Sequence, residues 1–171
     1  MQRRTVLRGL VALFALPAIP ARSNASDALA TDFASIHKSE ADWKALLEPA
    51  RYRVLFEEDT ERPFSSPLNN EKHAGTFVCA ACFLPLFSSK DKFDSGTGWP
   101  SFTQPIVASH IAMKKDFKLV LPRTEYHCAR CGGHQGHVFD DGPPPRGERW
   151  CNNGLAVVFV AQADPLPALR T

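Results

Sequence analysis

Two Cys-x-x-Cys pairs constrain this chain more than any other feature. Cys79 and Cys82 form the first and Cys128 and Cys131 the second, with 45 residues between them. Together they offer four thiolates, the ligand set of a tetrahedral structural zinc ion. The gap is wider than in a small zinc finger, so the ion would tie together two hairpin-like knuckles from distant strands. Three other readings use the same residues. In an oxidising compartment the four could form two disulfides. A redox pair of the thioredoxin kind needs a Cys-x-x-Cys that opens a helix in a βαβ pattern, which neither pair does. A mixed site could draw on His134 and His137, because Cys128, Cys131, His134 and His137 recur at every third position. The four-cysteine site is preferred because it strands no thiol pair at Cys79 and Cys82 and frees both histidines.

Residues 1–30 read as an address. Arg3, Arg4 and Arg8 precede a short apolar run, Gly9 to Leu16, broken by Pro17 and Pro20 and followed by small residues. A basic head, a short apolar middle and small-residue cleavage sites describe a secretory signal. The run is far short of the roughly 20 residues that span a bilayer. The paired arginines resemble a twin-arginine signal. The expectation is export to the periplasm or beyond, with cleavage after Ala25 or Ala30 and no membrane association afterwards. An uncleaved anchor or a basic tail is the alternative. This segment holds four of the chain's 20 basic residues and one of its 18 acidic ones, so the body is close to neutral. A near-neutral body lacks the electrostatic footprint of a nucleic-acid binder.

The remaining 31–171 fit one domain, long enough to bury a core without disulfides. Fourteen prolines against ten glycines argue for turns and short strands rather than long helices. Ser39 is a candidate N-cap for a helix over 39–48, and 50–56 add a second helical piece. Candidate strands are 76–79, 84–88, 118–121, 124–128, 137–139 and 155–161. Residues 140–147 (DDGPPPRG) form a rigid loop, and the tail after Asp164 lacks regular structure. The simplest architecture is one mainly antiparallel β domain with short N-terminal helices.

Cys151 is the odd cysteine. A lone Cys is often a buried inert thiol. Here Arg149 lies two residues before it and Asn153 two after, so on a strand all three share a face. A neighbouring cation favours the thiolate, and an unpaired thiol in an oxidising compartment is a liability unless it is used. Thiolate formation alone adds only a few-fold in rate, because nucleophilicity falls with pKa. Positioning and an acid for the leaving oxygen must supply the rest. His134 and His137 are candidates for that acid; each could equally be a strand-surface histidine or a partner of the zinc thiolates.

Longer motifs then resemble the methionine sulfoxide reductase B family, whose members reduce the R epimer of methionine sulfoxide. The likeness covers about residues 39–161. It includes Thr60-Glu61-Arg62-Pro63-Phe64, the segment from Gly75 to Ser88, and Phe93 to Phe102 (FDSGTGWPSF). It continues through Cys128 to Pro143 (CARCGGHQGHVFDDGP) and Arg149-Trp150-Cys151-Asn152-Asn153. The resemblance implies two small antiparallel β sheets, β-tent-like, with one structural zinc held by Cys79, Cys82, Cys128 and Cys131 away from the active site. It implies that Cys151 attacks the sulfoxide sulfur and becomes a sulfenic acid. His134 and His137 would position or protonate the oxygen, Arg149 would favour the thiolate, Asp141 and Asn153 would support the polar network, and Trp99 would pack against the substrate methyl. Trp99 as a plain core aromatic is the bland alternative. The implied partners are oxidised proteins as substrate and a thioredoxin-like protein or small thiol as reductant, acting on a monomer. Many members carry a resolving Cys where Thr97 stands here, so a one-cysteine cycle is expected. Trp150 and Asn152 depart from the usual Tyr and apolar residue and are expected to alter the pocket rim. Two rivals remain: a zinc-ribbon binding module without catalysis, and an oxidoreductase acting on disulfides.

Overall fold

Ser39 caps the first helix. In the computed structural model, which describes residues 33–116 and 123–171, its hydroxyl accepts from the Asp42 N–H while the Asp42 carboxylate accepts from Ser39. This reciprocal box satisfies donors that a helix start leaves free. Helix α1 spans Glu40–Leu46. Pro49 begins helix α2 (Pro49–Phe56), where the missing N–H breaks no helical bond. Trp43 of α1 stacks on Phe56 of α2, with ring centroids 5.0 Å apart.

Among the described residues nine strands follow: β1 Gly75–Cys79, β2 Pro85–Ser88, β3 Lys92–Phe93, β4 Ser101–Phe102, β5 Ile111–Asp116, β6 Arg123–Cys128, β7 His134–Phe139, β8 Arg149–Asn152 and β9 Val157–Ala161. They build two sheets, ordered β2-β1-β9 and β3-β4-β8-β7-β6-β5, with every neighbouring pair antiparallel. The mainly β architecture with two antiparallel sheets and two short helices is the one expected. The details differ. Strand β7 begins three residues earlier than expected, and residues 154–156 form a short 3-10 turn ahead of β9. Strand β5 escapes sequence reading because it is an edge strand whose middle residues face water (Ala112 to Lys115). The expected strand over 118–121 and the address segment 1–30 lie outside the described residues. The tail after Asp164 has no regular structure but is tied down. The Arg170 N–H donates to the Cys82 carbonyl, and its guanidinium sits 4.5 Å from the Phe83 ring centre. Among the described residues no helix is long and apolar enough to cross a membrane.

The six-stranded sheet has two unlike faces. Phe102, Tyr126 and Trp150 point into the core, where they meet Phe77 and Phe87 from the smaller sheet. Each such ring contributes about 1.5–3 kcal/mol by leaving water. Trp150 therefore belongs to the core, not to a pocket rim as expected. The opposite face follows from the register: Glu125 pairs with His137, His137 with Cys151, and Cys151 with Ser101, so these four form one row. Two residues along, Asp116, Arg123, Phe139 and Arg149 form a second row on the same face. His134 joins this face only because of a bulge. Tyr126 pairs with Gly136 and His127 with His134, so Gln135 is the extra residue. Three positions apart on a regular strand, His134 and His137 would point to opposite faces. Gly136 permits the close pairing of β7 with β8: a Cβ there would lie 1.9 Å from the Cys151 carbonyl oxygen.

Candidate active site and metal centre

Four sulfurs converge where the β1–β2 and β6–β7 turns meet. Both turns run alike. Phe83 N–H donates to the Cys79 carbonyl and Gly132 N–H to that of Cys128, and both donors have positive φ (64° and 74°). Cys79 Sγ lies 3.6 Å from Cys131 Sγ, and Cys82 Sγ lies 3.5 Å from Cys128 Sγ. A disulfide needs about 2.05 Å, and all five cysteines are free. Four sulfurs at about 2.3 Å from a tetrahedral ion would be spaced about 3.8 Å apart, close to what is seen. The quartet is therefore positioned to bind one metal ion. Gln135 Nε2 points at Cys79 Sγ at 3.5 Å, the outer-sphere contact such sulfurs use. His134 and His137 lie apart from the quartet, so the mixed ligand set does not form.

Cys151 lines a cavity of about 130 Å³ with Thr60, Trp99, Arg123, Gly136, His137, Phe139, Asn152 and Asn153. That is small beside the roughly 300–1,000 Å³ of drug-sized ligand sites, and suits the tip of one side chain. No sulfur of the quartet lines it. The Trp99 indole N–H donates to the Glu61 carbonyl at 3.1 Å, which anchors the ring edge. Glu61 N–H in turn donates to Asn153 Oδ1, and its carboxylate accepts the N–H groups of Gly154 and Leu155. Glu61 thus ties Trp99 to the turn that follows the Cys151 strand. Asn152 is wholly buried and satisfied: Tyr126 OH donates to its Oδ1 at 2.8 Å, and its amide donates to the Asn153 carbonyl. The unusual polar residue is offset by the Tyr126 hydroxyl, an internal compensation.

Arg149 donates to both Asp141 oxygens, at 2.7 and 3.0 Å, and lies 4.2 Å from the Phe139 ring centre. The Asp140–Gly147 loop delivers Asp141 to this contact, braced by Gly142 N–H to Gly147 O. Arg149 holds the Asp141 carboxyl below its usual range. At Cys151 burial pushes the thiol up, while the Arg149 guanidinium and the Thr97 hydroxyl pull it down. Burial wins, so the resting sulfur is a thiol, contrary to the expectation from Arg149 alone. Alkylation of Cys151 by iodoacetamide should still accelerate at a pH where free cysteine has levelled off. Arg149→Met should move that rise to higher pH. A plateau below neutral pH would contradict this assignment.

The two histidines part company. His137 lines the cavity, and its Nε2 lies 2.9 Å from Asp116 Oδ2, which also accepts from Arg123 at 2.7 Å. Burial lowers its pKa, and Asp116 opposes the shift. His134 is 2% exposed and sits behind His137, with ring centroids 5.6 Å apart. Burial, partly countered by Glu125, lowers its pKa to about 4. Both rings are neutral at rest near pH 7. Sequence reasoning missed Asp116, Arg123 and Glu125. A signal was present in β6: Arg123, Glu125 and His127 alternate with Thr124, Tyr126 and Cys128, a polar face on an inner strand.

Comparison with known proteins agrees with this geometry. Residues 47–161 match the model of the SelR domain. A protein of Bradyrhizobium diazoefficiens named peptide methionine sulfoxide reductase MsrB is 53% identical over 120 residues, covering 70% of this chain and 86% of that protein. Identically named proteins of Agrobacterium fabrum (49% over 124 residues, 72% of this chain and 92% of theirs) and Methanosarcina mazei (48% over 129 residues, 75% and 92%) are similar to it as well.

Proposed function

The chain belongs to the SelR domain family of methionine sulfoxide reductases, and on that premise we propose that it reduces methionine-R-sulfoxide, protein-bound and free, through Cys151 alone. The observation that carries this is the placement of the Cys151 thiol at the wall of a side-chain-sized cavity, with Trp99 and His137 on the same lining. The apolar indole suits the substrate methyl, and the imidazole suits the S–O oxygen. A chiral sulfur presenting both groups fits such a cavity in one hand only.

Cys151 sulfur attacks the sulfoxide sulfur while the oxygen takes up a proton. The oxygen then passes to Cys151, releasing methionine and a sulfenic acid. The sulfoxide sulfur gains two electrons and the cysteine sulfur loses two. The thiol's own proton is the one the oxygen needs. One neutral imidazole, His137, can therefore relay it, and the low basicity of both histidines is no obstacle. His134, hydrogen-bonded near Asn153, braces His137. Arg149, oriented by Asp141, stabilises the thiolate as it forms.

The Thr97 hydroxyl favours the Cys151 thiolate, and a hydroxyl cannot form a disulfide. The sulfenic acid would be reduced by a thioredoxin-like protein or a small thiol through a mixed disulfide. Zinc in the sulfur quartet would clamp the two knuckles and take no part in the reaction. With the twin-arginine-like residues 1–30, the role is repair of oxidised exported proteins in the periplasm or outside the cell. A peptide carrying both methionine sulfoxide epimers, incubated with the protein and dithiothreitol, tests this by chromatography. The R epimer should vanish and the S epimer remain. Consumption of both alike, or of neither, rejects the reading.

A further inference from the structure

Three buried polar atoms next to the cavity face one another. They are Glu125 Oε1, His127 Nε2 and His134 Nδ1, and none has a well-aligned partner outside the cluster. Glu125 and His134 side chains are each 2% exposed, and His127 is 14% exposed. The oxygen lies 2.6 Å from His134 Nδ1 and 3.1 Å from His127 Nε2, and the three atoms fall within 4.8 Å of one another. From this cluster we infer a second metal site, distinct from the sulfur quartet, that takes a borderline divalent transition ion of the zinc class.

The ring chemistry supports it. His127 Nδ1 lies 3.0 Å from the Gly132 carbonyl, which can only accept, so Nδ1 carries the proton. Nε2, the other ring nitrogen, faces the Glu125 carboxylate oxygen. At 3.1 Å the two atoms need a proton or a metal cation between them. A carbonyl holding the far nitrogen is also how proteins orient a ligating histidine. Two imidazoles and one carboxylate form a known zinc ligand set, and ligands at about 2.1 Å would stand about 3.4 Å apart. The cluster needs to open by less than about 1 Å. The fourth position is left to water. The other Glu125 oxygen lies 3.9 Å from Lys114 Nζ, which also bonds Glu58; that lysine does not enter the cluster.

Occupancy has a consequence for the cavity. At rest the Asn153 amide, whose oxygen accepts from Glu61, presents Nδ2 to His134 Nε2 at 3.5 Å. An ion on Nδ1 displaces any proton there, and the neutral ring then carries its proton on Nε2, facing a donor. The imidazole behind His137 is thereby locked in the wrong polarity, so the second ion inhibits the enzyme.

Metal counting tests the site without relying on activity. Full-length Cys151→Ser protein, in which no free thiol competes, is dialysed against saturating Zn2+ and then assayed for bound zinc. Two ions per chain are expected, and one for Cys151→Ser/His127→Gln and for Cys151→Ser/His127→Ala. The ion that each double variant retains reports an intact quartet and fold. Co2+ in the second site should show visible bands without thiolate charge transfer. One ion per chain in Cys151→Ser protein, or a second ion that survives both His127 changes, overturns the proposal. With Cys151 present, added zinc should inhibit the wild-type reductase more strongly than His127→Gln protein.

Discussion

Cys151→Ser protein should show no sulfoxide reduction above background, a loss of about 10⁴-fold or more on the scale of removed covalent nucleophiles. The reason is electronic as well as geometric. A serine oxygen cannot accept the sulfoxide oxygen and be reset by a thiol, so no residual slow cycle is available to it. The fold should be unchanged, because Cys151 is only partly buried and its strand is held by neighbours that the change leaves in place. Wild-type protein mixed with substrate and no thiol should stop after one methionine per chain, with one oxygen atom added at Cys151. An intramolecular disulfide involving Cys151 would overturn the one-cysteine cycle. Full activity in Cys151→Ser protein would remove Cys151 from the chemistry, and no activity in the wild-type protein would favour a metal-bearing binding module.

The second large effect falls on stability. Cys79, Cys82 and Cys128 are fully buried, and the quartet joins the turn of the three-stranded sheet to the turn of the six-stranded one. Structural zinc in small peptide domains binds with about 10–16 kcal/mol. If only about 5 kcal/mol of that stabilises this domain, stripping the metal or making Cys128→Ser lowers Tm by roughly 10–20 °C. Calorimetry of the stripped and reloaded protein checks this. An unchanged Tm after complete metal removal would mean that packing alone holds the knuckles together. Activity should fall with the fold rather than ahead of it, because no sulfur of the quartet lines the cavity.

The Ser39 cap, the helical piece after Pro49, the paired Cys-x-x-Cys turns and the polar loop from Asp140 are all legible in the amino-acid order because they are local. Their signals are residue type and short spacing, and local sterics and hydrogen bonding act over that same range. Strands β3 and β4 are not legible there, because two residues carry no periodicity; pairing of β4 with β8 and of β3 with β4 defines them. The role of Asp116 is hidden for another reason. A lone aspartate at an edge-strand end looks like a solvated charge until β5 pairs with β6 and brings it to His137.

The amino-acid order alone thus determined which atoms are able to do chemistry: a sulfur quartet, a solitary thiol, an arginine at its side and two imidazoles. Tertiary structure decided which of them share a space and in what protonation state. The bulge at Gln135 turned His134 onto the same face as His137 yet left it behind that ring. Burial outweighed Arg149 and kept the resting Cys151 protonated. Glu125 and His127 became neighbours of His134 only through the β6–β7 register. Desolvation and contacts across strands depend on pairing between distant segments, and no short window of sequence contains that information.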